Sequence, residues 1–193
     1  MLQGTSSPNS STGGGESEKV QKILVIGSGG AGKSTVAKSL GRLLKIEVIH
    51  LDALYWKPGW VEISPAEWNS ILEELMKRDS WIMDGNYSNT LDRRLEACDT
   101  VVFLDIPRSI CLWRVLKRWI LYRGKKRPDM AEGCSERFSL EFLQWVWGYK
   151  NRSRPKVIKM LTQNAQNKNV IWLRSDTEVR AFLARAKQVL HSR

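Results

Sequence analysis

Gly27-Ser28-Gly29-Gly30-Ala31-Gly32-Lys33-Ser34 follows directly on the apolar run Ile23-Leu24-Val25-Ile26. The stretch is a full match to G-x-x-x-x-G-K-[ST], and a strand end leading into a helix is where a phosphate-binding loop has to sit. Its glycines let backbone N–H groups turn inward around a phosphate, and the helix expected to start near Lys33 adds the positive end of its dipole. Lys33 can then reach the β- and γ-phosphates of a nucleoside triphosphate, and the Ser34 hydroxyl can hold Mg²⁺. Gly27, Gly29, Gly30, Ala31, Gly32, Lys33, Ser34 and Thr35 are thus the expected ATP-binding segment.

A dinucleotide reading competes, because Gly27-x-Gly29-x-x-Gly32 also fits G-x-G-x-x-G and Asp52 stands 20 residues after Gly32, where a ribose-binding acid is expected. Lys33 and Ser34 decide between the two. A phosphate-transfer loop requires that pair and a dinucleotide loop does not. Length points the same way, since 193 residues suit one domain and are short for a dinucleotide enzyme with a separate substrate domain.

Outside the loop, the first 18 residues are rich in Ser, Gly, Asn and Thr without apolar periodicity and are expected to be a disordered tail. They lack the charge and apolar core of a secretory signal, and nothing later is long and apolar enough to span a bilayer, so a cytoplasmic protein is expected. Cys98, Cys111 and Cys134 are too few and too irregularly spaced for a disulfide framework or a zinc site, which leaves buried thiols. His50 falls in a strand-like run and is read as structural.

Strand-like runs at 22 to 26, 46 to 51, 80 to 84, 100 to 105 and 169 to 173 alternate with helical stretches. Helices are expected at about 33 to 45, from Pro65 under a Ser64/Glu67 capping box, from Pro107, at about 136 to 150 before Pro155 interrupts, and after a Ser175/Glu178 cap. This is a three-layer α/β fold: a five-stranded parallel sheet flanked by helices, spanning residues 19 to 193. The stretches 52 to 64 and 123 to 135 read as long functional loops.

Asp52 and Asp84 end the second and third of these runs, and ligands bind at the carboxyl ends of parallel strands. Asp84 is expected to organise Mg²⁺ through water, and Asp52 to orient or deprotonate an acceptor hydroxyl, with a plain loop cap as its bland alternative. Asp105, just before Pro107, reads as a helix cap. The formal charge of +11 implies an anionic partner, nucleic acid or a small phosphorylated ligand. Between Pro107 and Pro128 lie Arg108, Arg114, Lys117, Arg118, Arg123, Lys125, Lys126 and Arg127 with no acid among them, so this segment is expected to meet phosphate. Arg114 and Arg118, four apart, share a helix face; Arg123 and Arg127 belong to a loop that can close over the nucleotide; Arg152 and Arg154 approach from the next helix. Of the nine tryptophans, Trp56 and Trp60 flank Lys57 and can stack on a ring or base, while Trp113, Trp119, Trp145 and Trp147 are expected to pack helices.

These residues resemble the adenylate-kinase-like group of P-loop kinases, and more closely the small bacterial proteins labelled DNA topology modulation proteins. The likeness covers about 22 to 190. It rests on Gly27 to Ser34, on His50-Leu51-Asp52-Ala53-Leu54-Tyr55-Trp56-Lys57-Pro58-Gly59-Trp60, on Asp84-Gly85-Asn86-Tyr87, on Phe103-Leu104-Asp105-Ile106-Pro107 and on Arg127-Pro128-Asp129-Met130. It implies a nucleoside-monophosphate-kinase-like fold with a basic lid at about 118 to 135, and a magnesium-linked carboxylate at Asp84. It also implies phosphate-gripping arginines at Arg114, Arg118, Arg123, Arg127 and Arg152. Asn86-Tyr87-Ser88 stands where adenylate kinases carry Phe-Pro-Arg after the Asp-Gly pair. Shikimate and gluconate kinases, similar in size, place a substrate aspartate near the end of the second strand, in line with Asp52. The expected function is ATP- and Mg²⁺-dependent transfer of the γ-phosphoryl group to a nucleotide or small hydroxylated metabolite, with Lys33, Asp52, Asp84, Arg118 and Arg123 as its catalytic set. The alternative is a DNA-binding ATPase or regulator, although no base-reading motif is present.

Overall fold

A computed structural model describes residues 20–123, 130–165 and 167–191. The tail expected at 1 to 18 lies outside them, as do Arg127 and the tip of the expected lid. Within them, β1 (Lys22–Gly27), β2 (Val48–His50), β5 (Trp81–Asp84), β6 (Thr100–Leu104) and β7 (Asn169–Leu173) form a parallel sheet in the order β2-β5-β1-β6-β7. The central strand β1 therefore has a neighbour on each side, and its C-terminal end, where the glycine loop begins, lies at the middle of the sheet.

Alternation along the strands divides the core in two. Leu24, Ile26, Met83, Val101 and Phe103 face one side, against α3 (Pro65–Lys77), α4 (Leu91–Ala97) and α7 (Arg154–Asn164). Ile23, Val25, Ile82, Val102 and Leu104 face the other, against α1 (Lys33–Leu44), α5 (Arg108–Tyr122), α6 (Leu140–Arg152) and α8 (Asp176–His191). Both faces are covered, which is why the strands read as unbroken apolar runs rather than alternating ones. Each of these side chains contributes about 1.5–3 kcal/mol by leaving water.

Several expectations need correction. The second strand is shorter than 46 to 51: Leu51 opens the one-turn helix α2 (Leu51–Tyr55), and the stretch read as a loop continues as a hairpin of β3 (Trp56–Lys57) with β4 (Val61–Glu62). Only half of the first capping box forms. The Ser64 hydroxyl accepts from the Glu67 amide at 3.2 Å, whereas the Glu67 carboxylate turns away to Lys57 Nζ at 2.8 Å. At the last helix the Ser175 hydroxyl accepts from the Glu178 amide at 3.2 Å, while the Glu178 carboxylate reaches past the capping residue to the Arg174 amide at 2.8 Å.

The helix expected from 136 begins at Leu140, because the Ser139 hydroxyl caps it through the Phe142 amide, and Pro155 opens α7 rather than merely ending α6. Trp113 and Trp147 do not pack in the core: they are 65% and 49% exposed. Helical spacing could not show this, because α5 and α6 carry more large apolar residues than the sheet covers. The three cysteines are buried, as expected.

Candidate active site

Beyond Gly27 the chain turns between β1 and α1 in a loop that closes on its own carbonyls, the Ala31 amide donating to Ser28 at 3.2 Å and the Val36 amide to Gly32 at 3.1 Å. Gly30 and Gly32 are obligatory. Both have positive φ, 78° and 95°, and a Cβ on Gly30 would stand 2.3 Å from the Cys111 carbonyl oxygen of α5. Gly29 is pressed against Phe142 and Val146 of α6. Lys33 opens α1 and its ammonium donates to the Ser28 carbonyl at 3.0 Å, so the cation lies across the loop. Ser34 is half-buried beside it and Thr35 is exposed. The first-turn amides of α1 have no intrahelical carbonyl to meet, so they and Lys33 make this loop an anion site.

Pairing across the sheet carries the loop's neighbours to the same edge. Asp84 pairs with Val25 of β1 and His50 of β2 pairs with Asp84, so the three stand in one row just below the loop. Asp84 is 5% exposed, and His50 Nδ1–H donates to its Oδ2 at 2.9 Å. Read from sequence as structural, His50 orients the acid expected to work with the metal; its position at the strand end, one residue before the turn to Asp52, was the available signal. The remaining carboxylate oxygen, with the Ser34 hydroxyl and the phosphates of a bound nucleotide, fits Mg²⁺, which favours oxygen ligands and keeps several waters. Among the described residues no group of three or more His, Cys, Asp and Glu forms a self-sufficient metal cage.

Asp52 lies in α2, half-buried, and accepts from the Tyr87 hydroxyl at 2.7 Å. Around that contact Tyr55, Trp68 and Tyr87 form a ring cluster, with centroids 4.6 Å apart for Tyr55–Tyr87 and 5.1 Å for Trp68–Tyr87. Trp56 and Trp60 extend it through the hairpin. The turn from Gly85 to Thr90 is held from below by Arg94, a residue not singled out from sequence. Fully buried, it donates to the carbonyls of Gly85 at 3.0 Å, Asn86 at 2.9 Å, Tyr87 at 2.8 Å and Thr90 at 3.3 Å. Burial pulls its guanidinium down to about 10, with the Tyr87, Cys98 and Asp92 side chains opposing the fall.

The basic segment divides. Arg114 joins the loop to the last helix, with Nη1 at 3.4 Å from the Ala31 carbonyl and Nη2 on Asp176. Arg118 donates to the buried Glu136 at 3.0 Å, and its guanidinium stands 5.7 Å from the Phe142 ring. Arg123 is exposed, 5.8 Å from the Trp119 ring, and forms a backbone bridge with Glu136. The absence of acids within the segment therefore does not mean absence of acidic partners, because Asp176 and Glu136 arrive from other elements. Arg152 lies along its own helix, Nη2 on the Gln144 carbonyl at 3.2 Å, and is not brought to the loop.

Arg154 takes the inner position instead. It forks onto Asp105 with two contacts of 2.7 Å, and Trp172 Nε1 adds a third at 3.1 Å. Asp105 is therefore no helix cap; α5 is preceded by Pro107 with no side-chain cap. Burial alone would raise the Asp105 carboxyl, yet the hydrogen bonds of Arg154 and Trp172 and the charges of Arg154 and Arg174 hold it below its ordinary value.

No family model and no curated protein matches the sequence. Among solved structures the chain is similar to shikimate kinase from Acinetobacter baumannii in complex with shikimate, at 17% identity over 90% of this chain and 94% of that one with a TM-score of 0.55. It is also similar to a candidate kinase from Chloroflexus aurantiacus, at 16% identity over 89% and 98% with a TM-score of 0.50. A gluconokinase from Sinorhizobium meliloti aligns at 18% identity over 89% and 95% with a TM-score of 0.47. At such identities the likeness is one of architecture: the chain has the α/β fold of the P-loop kinases, with its five-stranded parallel sheet flanked by helices.

Proposed function

We propose that this protein is an ATP- and Mg²⁺-dependent kinase that moves the γ-phosphoryl group to a hydroxyl of a nucleotide or small hydroxylated metabolite. One observation carries the reading: Lys33 and the glycine loop at the end of β1 stand beside two half- or fully buried acids, Asp84 at the end of β5 and Asp52 just after β2. In-line transfer asks for little else than positioned partners and compensated charge.

Lys33 and the loop amides hold the β- and γ-phosphates. Mg²⁺, kept by Ser34 and, through water, by Asp84, would neutralise charge on the phosphates. Asp52 accepts the hydrogen bond of the acceptor hydroxyl; the acceptor oxygen bonds to the γ-phosphorus, the bond to the β–γ bridging oxygen breaks with its electron pair on ADP, and the hydroxyl proton passes to Asp52. Arg114, at the Ala31 carbonyl of the loop, and Arg118, one turn further along α5, supply cations, and Arg123 at the end of that helix begins the lid that excludes water. The ring cluster at Tyr55, Trp56 and Tyr87 supplies a stacking face for an acceptor ring or base.

Incubation with Mg-ATP and a panel of nucleoside monophosphates, nucleosides and sugar acids, read by ADP release, tests this: stimulation by one class supports it. A Lys33→Ala protein with unaltered ATP affinity and turnover overturns the loop's role. The charge of +11 and the sequence likeness to DNA topology modulation proteins favour a second reading, a DNA-binding ATPase. It requires duplex-stimulated, acceptor-independent hydrolysis and an affinity that falls steeply with salt.

A further inference from the structure

The outer side of α5 presents large apolar residues to solvent. Trp113 and Ile120 are each 65% exposed and Leu121 60%, and the exposed Lys117 stands among them. At about 100° per residue these four fall within an arc of about 100° on the helix. Cys111 and Val115, which are buried, lie about 160° round from Trp113, so the stripe points away from the core. Helix α5 therefore has two apolar faces. The inner one meets the glycine loop, where Val115 abuts Gly30, and the outer one meets solvent.

Helix α6 continues this outer surface. Leu140 and Trp147, seven residues apart, share a face and are 60% and 49% exposed. The two helices meet along that edge: the Arg108 guanidinium stands 3.9 Å from the Trp147 ring centroid, and Leu116 and Leu143 line one crevice between them. The charges here have one sign. Lys117 and Lys150 are exposed, Arg108 is half-buried against its tryptophan, and the sequence from Arg108 to Arg123 contains no acid. Glu136, which lines the same crevice, is buried and accepts from Arg118 at 3.0 Å. Glu141 is set about 160° round α6 from Leu143, off the edge that meets α5.

We propose that this α5–α6 surface docks in the plane of an anionic phospholipid bilayer. Charge and apolarity together select that occupant. A second copy of the chain, related by a two-fold axis, would set Lys117 and Lys150 against cations of the same patch. A nucleic acid would satisfy the cations, but its interfaces are polar and leave Ile120, Leu121 and Leu140 without an apolar partner. A bilayer interface offers both, headgroup phosphates for the cations and acyl chains for the aliphatic side chains. Trp113 and Trp147 suit the boundary between the two, where tryptophan is enriched, and the stem of Lys117 lies along apolar surface while its ammonium reaches the headgroups. Among the described residues no helix is long and apolar enough to cross a membrane, so the contact is peripheral. The surface faces away from Gly30, and docking there is independent of the kinase reading.

The test sediments the full chain with vesicles of phosphatidylcholine and phosphatidylglycerol mixed about three to one, and with vesicles of phosphatidylcholine alone. Binding to the mixed vesicles is expected, with a blue shift of tryptophan emission and a loss of binding as salt rises. Ile120→Ser with Leu121→Ser should weaken it about tenfold or more, and Lys117→Gln about fivefold. All three positions are exposed, so these variants should melt with the parent protein. No binding to the mixed vesicles, equal binding to both kinds, or binding that every variant retains overturns the proposal. A mass that doubles with concentration and reverts in the Ile120→Ser/Leu121→Ser protein, without vesicle binding, overturns it by seating a second copy on the face. Duplex DNA binding that Lys117→Gln weakens and Ile120→Ser/Leu121→Ser retains, again without vesicle binding, overturns it in favour of nucleic acid.

Discussion

Tyr87 donates its phenolic hydrogen to Asp52 across 2.7 Å, which ties the acid after β2 to the turn after β5. The turn holds Tyr87 at φ 20°, a conformation that non-glycine residues adopt only when neighbouring contacts impose it. Burial, then the charge and hydrogen bond of Asp52, push the phenol far above its ordinary range, so it remains a neutral donor through alkaline pH. A raised acid of this kind contributes its full stability below the ordinary tyrosine value, near about 10, and loses it as pH climbs beyond. Tyr87→Phe should cost about 1–2 kcal/mol in urea unfolding at neutral pH. It should leave the 295 nm tyrosinate absorbance of the native protein at about pH 11 unchanged, because Tyr87 contributes nothing to it. A fall in that absorbance means the hydroxyl is not held as described.

Asp52→Asn separates architecture from chemistry. The amide oxygen can still accept from Tyr87, so unfolding should change by about 1 kcal/mol or less. Phosphoryl transfer should fall by about 10²–10⁴ if Asp52 receives the acceptor proton. A variant with normal turnover assigns Asp52 to loop capping alone.

Arg94 carries the turn from beneath by four carbonyl contacts, and among the described residues no carboxylate is one of its hydrogen-bond partners. Arg94→Ala would strand those oxygens and open a cavity, at an expected cost of about 3–5 kcal/mol. Arg94→Met fills the space yet strands the same oxygens, so it should recover only the packing share. If the two variants melt alike, the lost hydrogen bonds rather than the cavity govern the loss.

What could be read locally was read well: the glycine loop needs special φ angles at Gly30 and Gly32, and the apolar strands announce a sheet covered on both faces. The positions of Asp84 and Asp52 at the loop's edge of the sheet were legible because each directly follows or closes an apolar strand run. Hidden from that reading were partnerships that cross the sheet or join distant helices. Arg94 looks like any helical arginine until Gly85 to Thr90 folds over it. Arg154, not Arg152, reaches Asp105, since two residues along a chain crossing from α6 to α7 separate an inward from an outward guanidinium. The exposed Trp147 ring is matched to Arg108 of another helix, whose guanidinium carbon stands 3.9 Å from its centroid.

The Asp105–Arg154 pair sets a dependence on acid. Because the folded carboxyl is held below its ordinary value, its contribution is complete above the unfolded value of about 3.9 and is lost as pH falls through the folded one. The side chains are 13% and 30% exposed, so the pair is partly screened, and Arg154→Ala should cost about 1–3 kcal/mol at neutral pH. Unfolding at about pH 3 should show a smaller difference between variant and parent. An equal difference at both pH values removes the carboxylate from the account.

The hairpin at Trp56–Glu62 and the segment from Ala131 to Arg137 are fastened together at several points. Gly59 N–H donates to Gly133 at 3.1 Å, Trp60 Nε1 to Ser135 at 3.1 Å, and Cys134 Sγ to Lys57 at 3.3 Å, while Arg137 stands 5.3 Å from the Trp60 ring. Gly133 is the critical member, with φ 75° and a Cβ position only 2.8 Å from Pro58 Cβ. Gly133→Val must therefore either strain the backbone or part the two segments, a local cost of about 2–4 kcal/mol. Neither core cluster includes these residues, so most of that cost should be met by local undocking, with the global melting temperature lowered by only a few degrees. Trypsin should then cut faster after Arg123 and Arg137 than in the parent protein. Trp60→Phe, which removes one hydrogen bond and keeps most of the ring, should fall between the two. Unchanged cleavage with a large global destabilisation would instead place Gly133 in the cooperative core, and the hairpin would close on its acceptor independently of the segment beside it.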